Sequence, residues 1–153
     1  MANADDRQQD VAHSRSDRAR SLASLHAVER HAGAAGPSRP NEWRDDLLIA
    51  LDDLASSLHD QYERSAEADG LLSHVIQDAP HLAPGVQELR GRQTELIDEI
   101  DELRRTLSDL TRTVDVGAVR ERVGSMTKEI RELRAWETDI VYDSYAFDLG
   151  TGD

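Results

Sequence analysis

Apolar residues recur at steps of three and four along most of this chain, and the pattern predicts helices. Steps of this size place side chains on one face of an α-helix, whereas a half-buried strand would need strict alternation. No stretch shows sustained alternation, so we predict no sheet. The clearest stripe, which also marks the third of four predicted long helices, comprises Val86, Leu89, Gln93, Leu96, Ile100, Leu103, Leu107, Leu110 and Val114.

The other three helices are predicted from similar stripes and from capping residues. The first begins near Ser21, with Leu22, Leu25 and Val28 at helical spacing, and a loop containing two Gly and two Pro follows it. Asn41 can cap the second helix, and Asp115 can cap the fourth. The second stripe is Trp43, Leu47, Leu51, Leu54, Leu58 and Tyr62, and the fourth is Val116, Val119, Val123, Met126, Ile130, Leu133, Glu137 and Ile140.

Seams with this near-heptad spacing predict an all-α fold, an up-and-down antiparallel four-helix bundle. Residues 1–20 have almost no apolar content. We therefore predict a partly disordered N-terminal arm or a frayed helix start over residues 1–20 and the helical bundle over residues 21–150.

Two polar residues, Gln93 and Glu137, interrupt otherwise apolar seams. Burial of an unpaired polar group costs about 1–3 kcal/mol, so each needs compensation if it lies inside. A buried Gln could set helix register or bond a neighbour, or both residues could line a polar pocket. His59 and Glu63 lie four residues apart beside the second stripe and share a helix face. These two residues could converge with Gln93 and Glu137 in the core, or they could flank the stripe and face water.

Composition and charge narrow the classes of function. The chain has no Cys, which excludes disulfides, thiolate catalysis and iron–sulfur clusters. The net charge is −13, and an acidic body repels phosphate backbones, so we expect no nucleic-acid binding. No apolar run reaches the length of a membrane span, and the polar N-terminus lacks a secretory signal, so we expect no membrane association and a cytoplasmic location. Because phosphate-loop, GxSxG and HExxH motifs are also missing, we expect no enzyme.

Three stretches together resemble the hemerythrin-like (HHE cation-binding) helical-bundle family, in particular its ligand-poor bacterial members. They are the HxxxE pair at His59 and Glu63, the segment GLLSHVIQDAPHLAPGVQELRGRQTEL, and TDIVYDSYAFDLG near the end. The resemblance spans roughly residues 22–150 and implies a four-helix bundle. Complete members hold two irons with one His from the first helix, HxxxE from the second, HxxxH from the third and HxxxxD from the fourth.

Only part of that ligand pattern is present here. His59 and Glu63 match the second element, and His26 is a candidate for the first. Gln93 stands where the third helix should supply its first His, and Ile97 follows four residues later. The last His of the chain is His81, so the fourth helix has no imidazole, although Asp139 could match its carboxylate. The resemblance therefore implies a degenerate site. Its candidate metal ligands are His59, Glu63, His26 and Glu137.

We conclude from the sequence that this is a non-catalytic bundle protein with a structural, adaptor or regulatory role. No cofactor is expected, and the partner would be another protein or a second copy of the chain. An alternative is an iron-binding sensor or redox protein, in which the remaining His and carboxylate residues hold a single weakly bound iron or other divalent metal.

Overall fold

The structure, a computed structural model, describes residues 4–34 and 36–151. The helices are α1 (Ala4–Gly33), α2 (Pro40–Ala66), α3 (Leu71–Asp78), α4 (Ala83–Ser108) and α5 (Val116–Thr151). Single 3₁₀ turns lie at Gly36–Ser38 and Pro80–Leu82. The described ranges contain no strand, so the all-α prediction is confirmed. No helix in these ranges is both long enough and apolar enough to cross a membrane.

The four long helices pack around a shared core. α1 contacts α2 and α5, and α4 contacts the same two helices. Asp17 pairs with Arg64 and Arg20 pairs with Asp60, so later residues of α1 meet earlier residues of α2, as in an antiparallel pair. The contacts between α1 and α5 show the same antiparallel arrangement, because later residues of α1 meet earlier residues of α5. The short α3 packs against all four long helices and covers one end of the core.

The predicted stripes supply most of the core, because helical spacing turns them toward the centre of the bundle. Full burial of one such side chain stabilises the fold by about 1.5–3 kcal/mol. The exceptions have simple causes. Leu110 is 76% exposed because α4 ends at Ser108, and Leu22 is 37% exposed because Ser21 faces α2 in its place. The side chains at 2% exposure or less in the three longest predicted stripes are Leu47, Leu51, Leu54, Leu58, Val86, Leu89, Leu96, Ile100, Leu103, Leu107 and Ile130.

Residues 4–20 differ from the predicted disordered arm, because they form the first part of α1. Asp17 is buried, and its Oδ1 accepts a hydrogen bond from Arg64 Nη1 at 2.8 Å. Ser21 Oγ donates to Gln61 Oε1 at 2.6 Å. These polar contacts hold the segment against α2. The segment has too few apolar residues for its composition to predict a packed helix. The first three residues lie outside the described ranges, so the prediction of disorder stands untested for them.

The starts of α2 and α5 agree with the predictions to within one residue. Asp115 caps α5, since its Oδ1 accepts from the backbone N–H of Ala118 at 3.1 Å. α2 begins at Pro40, one residue before the predicted cap Asn41. Proline suits the first position of a helix, because its fixed φ is already helical and the missing N–H would have no intrahelical partner there.

The turn between α2 and α3 depends on a close backbone approach at Gly70. A Cβ added to Gly70 would lie 2.1 Å from the backbone oxygen of Arg64. Only glycine permits the chain to pass so near the end of α2. This turn brings the start of α3 over the interior polar residues described next.

Candidate functional site

Several buried polar side chains gather where α1, α2 and α5 meet under the start of α3. Glu137, Gln61 and Asp17 are 4%, 6% and 8% exposed, respectively. They line a cavity of about 420 Å³, which Gly70 and Leu71 border on the α3 side. We call it the polar cavity and define it by the side chains of His13, Asp17, Gln61, Arg64, Ser65 and Glu137.

Glu137 is a buried acid whose neighbouring charges are guanidinium groups. Its Oε1 lies 3.8 Å from Arg18 Nη2, close enough for charge attraction but beyond hydrogen-bond distance. Burial raises the pKa of Glu137 above its ordinary value, and the positive charges of Arg18 and Arg134 partly offset that rise. Burial, with the nearby charge of Arg18, in turn lowers the pKa of Arg134. Glu137 therefore forms an ion pair with Arg18 in the interior, and Arg134 adds a second positive charge nearby.

Tyr62 borders this charged group from α2. Burial raises the pKa of its phenol, and the negative charge of Glu137 raises it further. Tyr62 therefore keeps its proton at neutral pH and presents an uncharged hydroxyl beside the core.

The remaining polar groups of the cavity hold α1 onto α2. The Asp17–Arg64 and Ser21–Gln61 bonds join the two helices at positions one turn apart, so together they fix the register of α1 along α2. Ser65 Oγ is buried and has no hydrogen-bond partner among the described residues. Chemically, the cavity offers carboxylate, amide, hydroxyl, imidazole and guanidinium groups, which suit hydrogen bonding between helices.

His59, Glu63 and Gln93 line a different cavity of about 250 Å³. His59 Nε2 lies 3.4 Å from Glu63 Oε1, and the two side chains are 56% and 68% exposed. Gln93 is 3% exposed, whereas Glu137 lines the polar cavity instead. Of the two arrangements that the sequence left open, the structure has the one in which His59 and Glu63 flank the core and face water.

The candidate metal ligands do not form a single site. His26 is exposed on α1. Within residues 4–34 and 36–151, no three His, Asp or Glu side chains are placed to hold a metal ion together. Imidazole and carboxylate are the donors that non-haem iron prefers, whereas Glu137 has the cation Arg18 beside it. The residues present therefore do not fit a two-iron centre. Binding of one ion at His59 and Glu63 stays a prediction.

Comparison of the chain with protein-family models, curated proteins and solved structures gives no match in any of the three. The hemerythrin-like resemblance thus rests on the sequence stretches quoted above.

Sequence reasoning missed Asp17, Arg18 and Ser21 as parts of the site. A usable signal was present, because the buried positions Leu25 and Val28 continue backwards at helical steps to Ser21 and Asp17. The stripe was hard to recognise because its two earlier members are polar, and a polar residue on a buried face looks like the end of a helix.

Proposed function

We propose that this chain is a non-catalytic, hemerythrin-like helical bundle with a structural, adaptor or regulatory role in the cytoplasm. The proposal includes the full up-and-down path of the helices. The observation that supports it most is the environment of Glu137. In the family that the chain resembles, the last helix supplies metal ligands, whereas here the buried acid of α5 lies beside Arg18 and Arg134.

A guanidinium beside a carboxylate disfavours a metal ion at the same carboxylate. Two unit positive charges about 4 Å apart repel each other by about 4 kcal/mol at an effective dielectric constant of about 20, and a divalent ion doubles this to about 8 kcal/mol. A divalent ion on Glu137 would have to displace Arg18 or bear that repulsion. We infer that arginine replaces metal as the counter-charge in this interior.

The polar interior then serves to fix the helices in one arrangement. The bonds of Asp17 and Ser21 set the position of α1 along α2, and the contact between Arg18 and Glu137 sets it against α5. Buried polar pairs are best attested as devices that specify register. A rigid bundle of this kind suits a protein that presents a surface to a partner.

Metal analysis tests this proposal. The protein would be produced in iron-supplemented medium and assayed for metal per chain, and its melting temperature would be compared with and without a chelator. We expect much less than one ion per chain and an unchanged melting temperature. One tightly held iron per chain that is lost in Glu137→Gln would overturn the proposal.

A metal-binding sensor or redox function is the second candidate. The observation that favours it is the His59–Glu63 pair at 3.4 Å, which shares its cavity with the amide of Gln93. The matched variants are His59→Ala and His31→Ala, because His31 belongs to no candidate site. One divalent ion per chain that is lost only in His59→Ala would establish this function and displace the first.

The proposed partner is another protein or a second copy of the chain. Tyr142, Tyr145 and Leu149 are 71%, 52% and 84% exposed and recur at helical steps near the end of α5. Light scattering over a range of concentrations measures self-association. A mass of one chain throughout would leave only a different protein as partner.

A further inference from the structure

A second polar pocket lies at the end of the bundle opposite α3, where the loop between α4 and α5 meets the start of α2. It has a volume of about 570 Å³, and we call it the loop pocket. Its polar lining consists of Asn41, Arg44, Thr111, Arg112 and Thr113. No Asp or Glu is among the described residues that line it, although the chain as a whole carries a net charge of −13. The loop pocket is thus a basic site on an acidic protein.

Arg44 is the central feature of the loop pocket. The residue is 8% exposed, and its Nε is buried without a hydrogen-bond partner among the described residues. Oδ1 of Asp45 lies 3.8 Å from this nitrogen, beyond hydrogen-bond distance, and the Asp45 side chain is 68% exposed. A buried cationic donor without an acceptor is unfavourable. Because the Arg44 side chain lines the loop pocket, an anion bound there would place negative charge beside this guanidinium and offset part of that cost.

The start of α2 adds positive potential to the same pocket. Pro40 is the first residue of this 27-residue helix, and the preceding Arg39 makes no side-chain capping bond. The first N–H groups of a helix lack intrahelical partners and carry partial positive charge, which attracts anions. A helix terminus and a buried, unsatisfied guanidinium therefore favour the same kind of ligand.

The loop contributes a second cation. Arg112 is paired with Asp109 at 3.4 Å, but its side chain is 71% exposed and can turn toward a ligand. Asp109 also accepts hydrogen bonds from the N–H and hydroxyl of Thr111, so its negative charge is already engaged within the loop. Leu110, Val114 and Val116 supply an apolar part of the lining.

We propose that the loop pocket binds a small molecule that carries a phosphate group, with Arg44 as its main contact. Two guanidinium groups from different elements suit a doubly charged oxyanion that has several acceptor oxygens. The pocket is also larger than one phosphate ion, so its apolar wall can receive an organic portion of the ligand. This site goes beyond the proposed function, since it would let a phosphorylated small molecule act on the bundle.

Titration followed by amide NMR tests the proposal. Inorganic phosphate is added to the full chain at constant pH and ionic strength, with ribose 5-phosphate and unphosphorylated ribose as separate arms. We expect saturable shifts confined to residues 41–44 and 110–116, which surround the loop pocket. Stronger binding of ribose 5-phosphate than of phosphate would identify a phosphate ester as the ligand. The opposite order would identify the free ion and overturn the small-molecule part of the proposal.

Three variants make the outcome decisive. Arg44→Gln should weaken phosphate binding at least about tenfold, since it removes a charged hydrogen bond. Arg112→Gln should weaken it by less, and its exposed position makes loss of folding unexpected. Arg15→Gln makes the same charge change on an exposed residue of α1 and should bind like the wild type.

Several results would overturn the proposal. They are the absence of saturable shifts, equal phosphate affinity in Arg44→Gln and Arg15→Gln, or binding of ribose as tight as that of ribose 5-phosphate. If Arg44→Gln does not fold, the test depends on Arg112→Gln. The proposal would then be overturned if this variant bound phosphate as tightly as the wild type and the amide shifts lay outside the loop pocket.

Discussion

Substitution of Arg18 by Gln tests whether Glu137 is a buried acid balanced by a guanidinium. Arg18 Nη2 lies 3.8 Å from Glu137 Oε1, and the two side chains are 31% and 5% exposed. Two unit charges at that distance attract by about 4 kcal/mol at an effective dielectric constant of about 20. The real loss on substitution is smaller, because water screens the exposed part of Arg18 and because Arg134 remains nearby.

Protonation sets an upper limit on the loss from charge. Without Arg18, Glu137 can take up a proton on folding. For an acid of ordinary pKa 4.5, that costs about 3.4 kcal/mol at pH 7 and about 0.7 kcal/mol at pH 5. We therefore expect Arg18→Gln to lower the free energy of unfolding by about 1–3 kcal/mol at pH 7. Most of this effect should disappear at pH 5, whereas a loss of packing would persist.

Urea unfolding followed by circular dichroism at the two pH values measures both quantities. Arg15→Gln is the matched control, because it changes the same charge at an exposed site on the same helix and should shift stability by no more than about 0.5 kcal/mol. The double variant with Glu137→Gln should recover most of the stability lost at pH 7. A loss of equal size at both pH values would refute the argument, since it would not depend on the charge of Glu137.

Three further predictions concern the interior and α1. Burial raises the folded-state pKa of Glu137, so its contribution to stability is full below its unfolded value of 4.5 and is lost as pH rises through the folded value. The free energy of unfolding of Glu137→Gln, measured with urea at several pH values above 4.5, should therefore fall less steeply with rising pH than that of the wild type. In thermal melts, Gly70→Ala should destabilise, because its Cβ would lie 2.1 Å from a backbone oxygen, whereas Gly91→Ala, with nothing within 4 Å, should stabilise by about 0.5–1 kcal/mol. Amide hydrogen exchange should be slow from Asp17 to the end of α1, and uniformly fast exchange there would contradict the packing of this segment.

The sequence was sufficient to predict the long helices, because their pattern is repeated over many turns. Leu47, Leu51, Leu54 and Leu58 illustrate this, since each is 1% exposed or less. Burial in the core is the most favourable arrangement for a hydrophobic stripe of that length. The cap at Asp115 was also predictable, because it depends only on residues three apart in the chain.

The candidate site was less predictable, because it depends on how different helices align. The sequence identifies Gln93 and Glu137 as polar positions in apolar seams but leaves their burial open, and the structure shows that both are buried. Their neighbours were not predictable. Arg18 reaches Glu137 only because α1 extends back past Ser21, and that extension is fixed by polar contacts with α2. The residues that make these contacts, Asp17 and Ser21, do continue the buried face of Leu25 and Val28 at helical steps, but a polar continuation of an apolar stripe is not distinctive in a sequence.

The placement of α1 against α5 has a practical consequence for engineering. The pairing of Arg18 with Glu137 lies toward α3, and the bond from Arg120 to the backbone of Ala32 lies toward the opposite end of the bundle. The first and last helices therefore lie side by side between these two contacts, and Val11 of α1 and Ser144 of α5 line one small pocket beside α3. A short linker could join these two helices, and new termini could be opened in the loop at residues 109–115. A circularly permuted chain of this design should keep the interior contacts.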